Sequence, residues 1–204
     1  MIPMGKPHWW DEARDFLMED EILSPIVAKY TGECLSGKGD LFSTFVNSIV
    51  GQQISVIAAE AIWNRLKDKV GKITPENISS FSAEEIASCG LTKSKTSYIL
   101  GIANNPEEFL NQNYSEMSDE EIHKHFISFR GIGPWTSEML MIFALLRPNV
   151  FSIGDIGLVK AVKLLNPDVH TKEEVLAEAE RWSPFKTAAS WYLWRMLDPV
   201  PVAY

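Results

Sequence analysis

The 204-residue sequence predicts an all-α fold in two lobes. Apolar residues recur at helical spacing through almost the whole chain. Ser or Thr followed three residues later by Glu, the signature of a helix start, occurs repeatedly. No run alternates apolar and polar residues, and no Asn-Gly or Asp-Gly pair marks a hairpin between strands.

In order, the pattern predicts helices over His8–Met18 and Ile22–Tyr30, with a break near Asp20. A turn-rich stretch, Gly32–Gly39, leads to helices over Leu41–Val50 and Val56–Val70, the second capped by Ser55. Thr74-Pro75 reads as a cap with Pro at the first helical position. Ser82 with Glu85 forms a capping box that opens a short helix ending near Gly90. Helices follow over Ser94–Ala103, Pro106–Asn111 and Ser118–Phe129, then Pro134–Leu146, Ile156–Leu165, Thr171–Arg181 and Pro184–Met196. Ser118 with Glu121 and Thr171 with Glu174 are further boxes. The expected division is a single functional unit with lobe A at about 32–125 and lobe B at about 1–31 plus 126–204.

Composition narrows the function classes. With 46% hydrophobic and 23% charged residues the chain has the balance of a globular protein that needs no staple. The two cysteines, Cys34 and Cys89, lie far apart, which excludes a four-cysteine zinc or iron–sulfur site and predicts two buried thiols. The four histidines show no ligand spacing and are expected at the surface. No phosphate-binding GxxxxGK[ST] loop is present. Neither a secretory leader nor an apolar run long enough to span a bilayer is evident, so no membrane role is expected and the chain is read as intracellular. The net charge of −8 argues against tight general adhesion to nucleic acid. The charge is uneven, however: between Lys124 and Lys163 five basic residues face two acids, which leaves room for a local basic surface.

Four features carry candidate chemistry. In Phe129-Arg130-Gly131-Ile132-Gly133-Pro134-Trp135-Thr136 a helix ends, a Gly-Ile-Gly hairpin follows, and Pro134 opens the next helix. The glycines permit close approach of a ligand to the main chain, and the N–H groups of the next helix start make an anion site. A tight helix–helix turn uses the same residues. Asp155 lies at a helix start, which also makes it an ordinary N-cap. Gln52 and Gln53 stand between two apolar helices, suited to satisfying buried backbone groups or to probing a nucleic-acid groove. The seven tryptophans include Trp135 in the hairpin segment and Trp182, Trp191 and Trp194 near the C-terminus. Such rings fill cores, or flank an unstacked cationic base.

Taken together, Gly51-Gln52-Gln53-Ile54-Ser55, the Gly-Ile-Gly hairpin and an Asp about 20 residues beyond it resemble the helix–hairpin–helix DNA glycosylase superfamily. The resemblance runs from about Leu41 to Asp198 and is nearest to the 3-methyladenine DNA glycosylase II branch, through Ile49–Ser55, Arg130–Thr136, Phe151–Val159 and Arg181–Lys186. It implies a two-lobed helix–hairpin–helix fold and a partner, double-stranded DNA with a damaged base. Gly131, Ile132 and Gly133, flanked by Arg130 and Thr136, would grip a backbone phosphate, with a monovalent cation on the hairpin carbonyls as a further option. Asp155 falls on the catalytic aspartate, and Trp135 and Trp194 fall on pocket aromatics. Met139 stands in the pocket where the branch's bacterial representative is aromatic. Gln53, with Gln52 beside it, falls on the wedge position, which is apolar in that representative. Trp135 occupies the place of the lysine that attacks the sugar in lyase-active relatives.

The resemblance thus implies a monomeric, cofactor-free, monofunctional enzyme of base excision repair. It would flip an alkylated purine of the 3-methyladenine or 7-methylguanine class and hydrolyse its N-glycosidic bond, leaving an abasic site. Asp155, at a helix start that favours an ionised carboxylate, would stabilise oxocarbenium character at C1′ and orient water. The implied location is cytoplasm or nucleoid in a bacterium, nucleus in a eukaryote. Competing readings are a glycosylase for deaminated or other damaged bases, a non-catalytic helix–hairpin–helix DNA-binding module, and a helical interaction protein.

Overall fold

The computed structural model describes residues 1–198. The elements in chain order are β1 (Met4–Gly5), α1 (Trp10–Met18), α2 (Ser24–Lys29), β2 (Gly37–Lys38), α3 (Leu41–Gly51) and α4 (Val56–Val70). Next come α5 (Pro75–Ser79), α6 (Ala83–Ala87), α7 (Lys93–Asn104), α8 (Glu107–Leu110) and α9 (Asp119–Ile127). The last are α10 (Pro134–Phe143), α11 (Ile156–Leu165), α12 (Lys172–Glu180) and α13 (Lys186–Leu197).

The helices begin where side chains cap them. Ser55, Thr74, Thr92 and Asp155 each accept an N–H from the first turn that follows. The three expected capping boxes, Ser82/Glu85, Ser118/Glu121 and Thr171/Glu174, are all formed in both directions. One departure from the all-helical reading is the antiparallel pair β1–β2, which joins Met4 to Lys38 and Gly5 to Gly37. Two residues per strand leave no alternation for a sequence to display.

The chain forms two compact units. The first comprises Met1–Ile2 and Asp40–Leu140. In it α3 packs on α4 and α7, and α5 and α6 pack on α7. Its core includes a chain of rings, with Phe45 against Phe109 at 5.3 Å and Phe109 against Phe126 at 5.6 Å. His125 belongs to this cluster, edge-on to Phe129, and is half-buried with its Nε2 covered where a surface position was expected. The second unit comprises Pro3–Gly39 and 141–198. There α11 packs on α12 and α13, and α1 and α2 pack on each other and on α13. Trp10 is a central filler, edge-on to Trp191 at 5.3 Å and tilted against Tyr192 at 5.7 Å. Trp182 is also fully buried, and all three C-terminal tryptophans, Trp182, Trp191 and Trp194, lie in the core. Cys89 is buried and Cys34 half-buried; both are free.

The division falls at different places from the expected lobes. Residues 32–39 join the second unit, where β2 pairs with β1. Residues 126–140, including the hairpin, join the first, where Gln52 holds them.

The capping boxes make acid stability predictable. The N–H of each capping residue holds its partner, Glu85, Glu121 or Glu174, below the ordinary carboxylate value of 4.5. A depressed folded-state pKa contributes stability above the unfolded value that disappears as pH falls through the folded one. Replacing all three by Gln is expected to flatten the fall in Tm between about pH 5 and pH 3. An acid limb identical to the wild type's would contradict this.

Candidate functional site

In the first unit the hairpin follows α9. Ile132 N–H donates to the Phe129 carbonyl at 3.1 Å, and Ser137 N–H to the Gly133 carbonyl at 3.0 Å as α10 begins. Gly131 has φ +93°, and a Cβ there would overlap the Tyr98 ring and stand 2.8 Å from the Tyr98 Cβ. Both the backbone angle and the space therefore demand glycine. The Arg130 guanidinium lies over the other end of this contact, its carbon 5.7 Å from the Tyr98 ring centre. Ile132 is buried and anchors the turn, while Gly133 is exposed.

Gln52 ties this hairpin to the end of α3. Its Nε2 donates to the Gly131 carbonyl at 3.0 Å and to Thr136 Oγ1 at 2.9 Å. Thr136 is itself buried. Gln53, next in the chain, is exposed and has φ +57°. For a residue with a side chain this left-handed geometry costs roughly 1–2 kcal/mol. Beyond it the chain exposes apolar side chains, Val56 at 69% and Ile57 at 82%. Lys95, on α7, donates from Nζ to the carbonyls of Val50 at 2.9 Å and Gln52 at 2.8 Å. Trp135 is half-buried at the first turn of α10. Met139, expected to line a pocket, has no exposed surface (0%).

In the second unit Asp155 is the N-cap of α11. Its Oδ1 accepts the Leu158 N–H at 2.9 Å and the Trp194 indole N–H at 3.2 Å. Trp194, 9% exposed, also stacks on Phe143 with centroids 5.6 Å apart. The ring expected to face a base is thus also a hydrogen-bond donor that orients the carboxylate. Gly157 stands alongside: a Cβ there would lie 3.0 Å from Asp155 Oδ1 and 3.7 Å from Trp194 Cδ1. The loop leading to Asp155 is fastened by Thr187 on α13, whose Oγ1 donates to the Arg147 carbonyl at 2.6 Å and accepts the Val150 N–H at 3.0 Å.

The first unit therefore brings together Gln52, Gln53, Arg130, Gly131, Ile132, Gly133 and Thr136, and the second joins Asp155 to Trp194. Phe143, Gly157, Thr187, Tyr98 and Lys95 were not anticipated. Gly157, two residues after the Asp, was the one with a local signal. Among the described residues no group of three or more His, Cys, Asp or Glu side chains is arranged to hold a metal ion. No helix among them is long and apolar enough to cross a membrane. The hairpin carbonyls of Phe129, Gly131 and Gly133 accept the Ile132 N–H, the Gln52 side-chain amide and the Ser137 N–H in turn.

A capped carboxylate in one unit and a glycine hairpin opening a helix in the other define a helix–hairpin–helix protein. The chain belongs to the HhH-GPD superfamily of base excision DNA repair proteins, whose family model matches residues 46–185. It is 32% identical to DNA-3-methyladenine glycosylase 1 of Schizosaccharomyces pombe over 181 residues, 85% of this chain and 79% of that protein. It is 29% identical to a DNA-3-methyladenine glycosylase of Bacillus subtilis over 87% of this chain, and spans 64% of that protein's length. The solved 3-methyladenine DNA glycosylase Mag1 of S. pombe, in complex with abasic DNA, superimposes with a TM-score of 0.78 at 30% identity, covering 90% of this chain and 95% of the other.

Crowding at the hairpin gives a direct test. Gly131→Ala is expected to destabilise the protein by about 2–4 kcal/mol, from the left-handed angle and overpacking together. Adding Tyr98→Ala should recover the packing part and leave the angular part. Purely additive losses in the double variant would contradict the contact.

Proposed function

We propose that this chain is a monofunctional DNA glycosylase that hydrolyses the N-glycosidic bond of alkylated purines, of the 3-methyladenine and 7-methylguanine class. The observation that carries this reading is the Asp155 carboxylate at the start of α11, oriented by the Leu158 and Trp194 N–H groups. Family membership and the named relatives support the reaction class and the DNA substrate.

Alkylation of a purine ring nitrogen makes the base a cationic leaving group. As the bond to C1′ breaks, positive charge grows on the sugar, and a fixed carboxylate stabilises it without having to reorganise. The same carboxylate orients or deprotonates the incoming water, which supplies the new oxygen at C1′. Two N–H donors on one oxygen keep the group aimed. Trp194 in the second unit and Trp135 in the first each take the pocket-aromatic role that the resemblance gives it, and an electron-rich ring stacked on a cationic base is worth about 0.5–2 kcal/mol. The hairpin's glycines and the N–H groups opening α10 hold a backbone phosphate, with Arg130 adding charge. A monovalent cation on the hairpin carbonyls would add positive charge beside that phosphate. Gln53 takes the wedge role at the vacated stack. Trp135, where lyase-active relatives carry a lysine, leaves no amine for attack on the sugar, so the product is an intact abasic strand. The enzyme acts as a monomer, wherever the cell keeps its genome, and needs no cofactor.

The test is base release from methylated duplex DNA, read by chromatography, with strand integrity followed in parallel. Wild type is expected to release 3-methyladenine or 7-methylguanine and to form no borohydride-trapped adduct with the abasic strand. Asp155→Asn should bind the duplex and release nothing. Trp194→Phe, which keeps the ring and loses the N–H, should slow release about tenfold, the scale of one hydrogen bond to a charged group. Normal turnover by Asp155→Asn would sink the assignment. Binding without release by wild type would favour a different lesion or a binding module.

A further inference from the structure

Lys95 is the least expected member of the DNA-facing half. The last carbonyls of a helix have no partners within it, and the usual remedy is a left-handed glycine just past the end. Here α3 ends on Gly51, the N–H of Gln52 reaches back to the Ile49 carbonyl at only 3.4 Å, and the left-handed position is taken by Gln53. Lys95 reaches over from α7 and supplies what the chain end lacks, two donors and a positive charge on the Val50 and Gln52 carbonyls. One turn further along α7, Tyr98 lies beneath Gly131. Gln52 then spans from the end held by Lys95 to the Gly131 carbonyl and Thr136. A single helix thus supports both the exposed Gln53 turn and the hairpin.

We propose that Lys95 is a positioning residue for DNA engagement, fixing the Gln53 turn and, through Gln52, its register with the hairpin. The inference rests on the glycosylase reading for its choice of ligand. Lys95 touches no reacting atom in this role. It acts on how well the duplex is gripped, more than on how fast the bond breaks.

The measurement pairs two readouts on wild type, Lys95→Met and Lys95→Arg. One is the Kd for a duplex carrying a neutral tetrahydrofuran abasic analogue; the other is single-turnover excision from methylated duplex at saturating protein. Lys95→Met is expected to weaken binding about tenfold, the scale of one lost charge-assisted hydrogen bond, and to slow excision by no more than about threefold. Lys95→Arg, which keeps charge and donors, should return to within about threefold of wild type in both. Should Lys95→Met fail to fold, Lys95→Gln carries the same comparison with a neutral donor. Wild-type affinity in the Met or Gln variant, an excision loss as large as the binding loss, or no recovery in the Arg variant would each overturn the proposal. If wild type itself neither binds the duplex nor releases a base, it is the glycosylase reading that falls.

Discussion

A carboxylate at the first turn of a helix points where the surrounding N–H groups hold it, and at Asp155 two of them converge on one oxygen. The Leu158 amide belongs to α11, the helix that Asp155 caps. The Trp194 indole comes from α13, the helix that packs most extensively on α11 in the second unit. The same aspartate therefore starts a helix, links two helices and presents charge. Much of the unit serves this arrangement. Phe143 backs the indole, Thr187 fastens the approaching loop, and Gly157 leaves the carboxylate room. An N-cap and a catalytic group are usually offered as rival explanations of such a residue. In the proposed reaction the two would coincide, the capping bond supplying the rigidity that electrostatic stabilisation requires.

In the proposed function the first unit has a different problem, that of holding main chain in place beside a polyanion on an acidic protein. With a net charge of −8, general attraction to DNA is weak, so geometry must do what charge does not. The hairpin is built without slack: ring against glycine at Gly131, a buried Ile132, and a glutamine amide bridging to the end of α3. Helix α7 underlies both parts through Tyr98 and Lys95. A left-handed Gln53 is a conformation the chain adopts only because neighbours impose it, which is common where function needs a strained turn.

Local features were legible in the sequence. Capping boxes involve partners three residues apart, so Ser82, Ser118 and Thr171 could be read directly, as could the Gly-Ile-Gly hairpin and Asp155 at a helix start. The contacts that aim these parts were not. Lys95 meets its carbonyls across more than 40 residues of chain, and the indole N–H of Trp194 meets Asp155 from 39 residues away. Spacing patterns carry no information about such pairs. The boundaries of the two units went astray for the same reason: the hairpin reads as the start of the C-terminal half, yet the Gln52 bonds bind it to α3. His125 shows the converse limit, because helical spacing placed it on a helix but could not tell a surface position from one half-buried among rings.

The proposed chemistry depends on Asp155 as an electrostatic partner of a cationic sugar. The most direct measurement compares affinities for two duplexes, one with a protonated pyrrolidine in place of the deoxyribose ring and one with neutral tetrahydrofuran. Wild type is predicted to prefer the cationic ring by about tenfold or more, and Asp155→Asn to bind both alike while keeping its affinity for the neutral duplex. An undiminished preference in Asp155→Asn would mean that the charge is felt elsewhere, and that this aspartate is a helix cap alone.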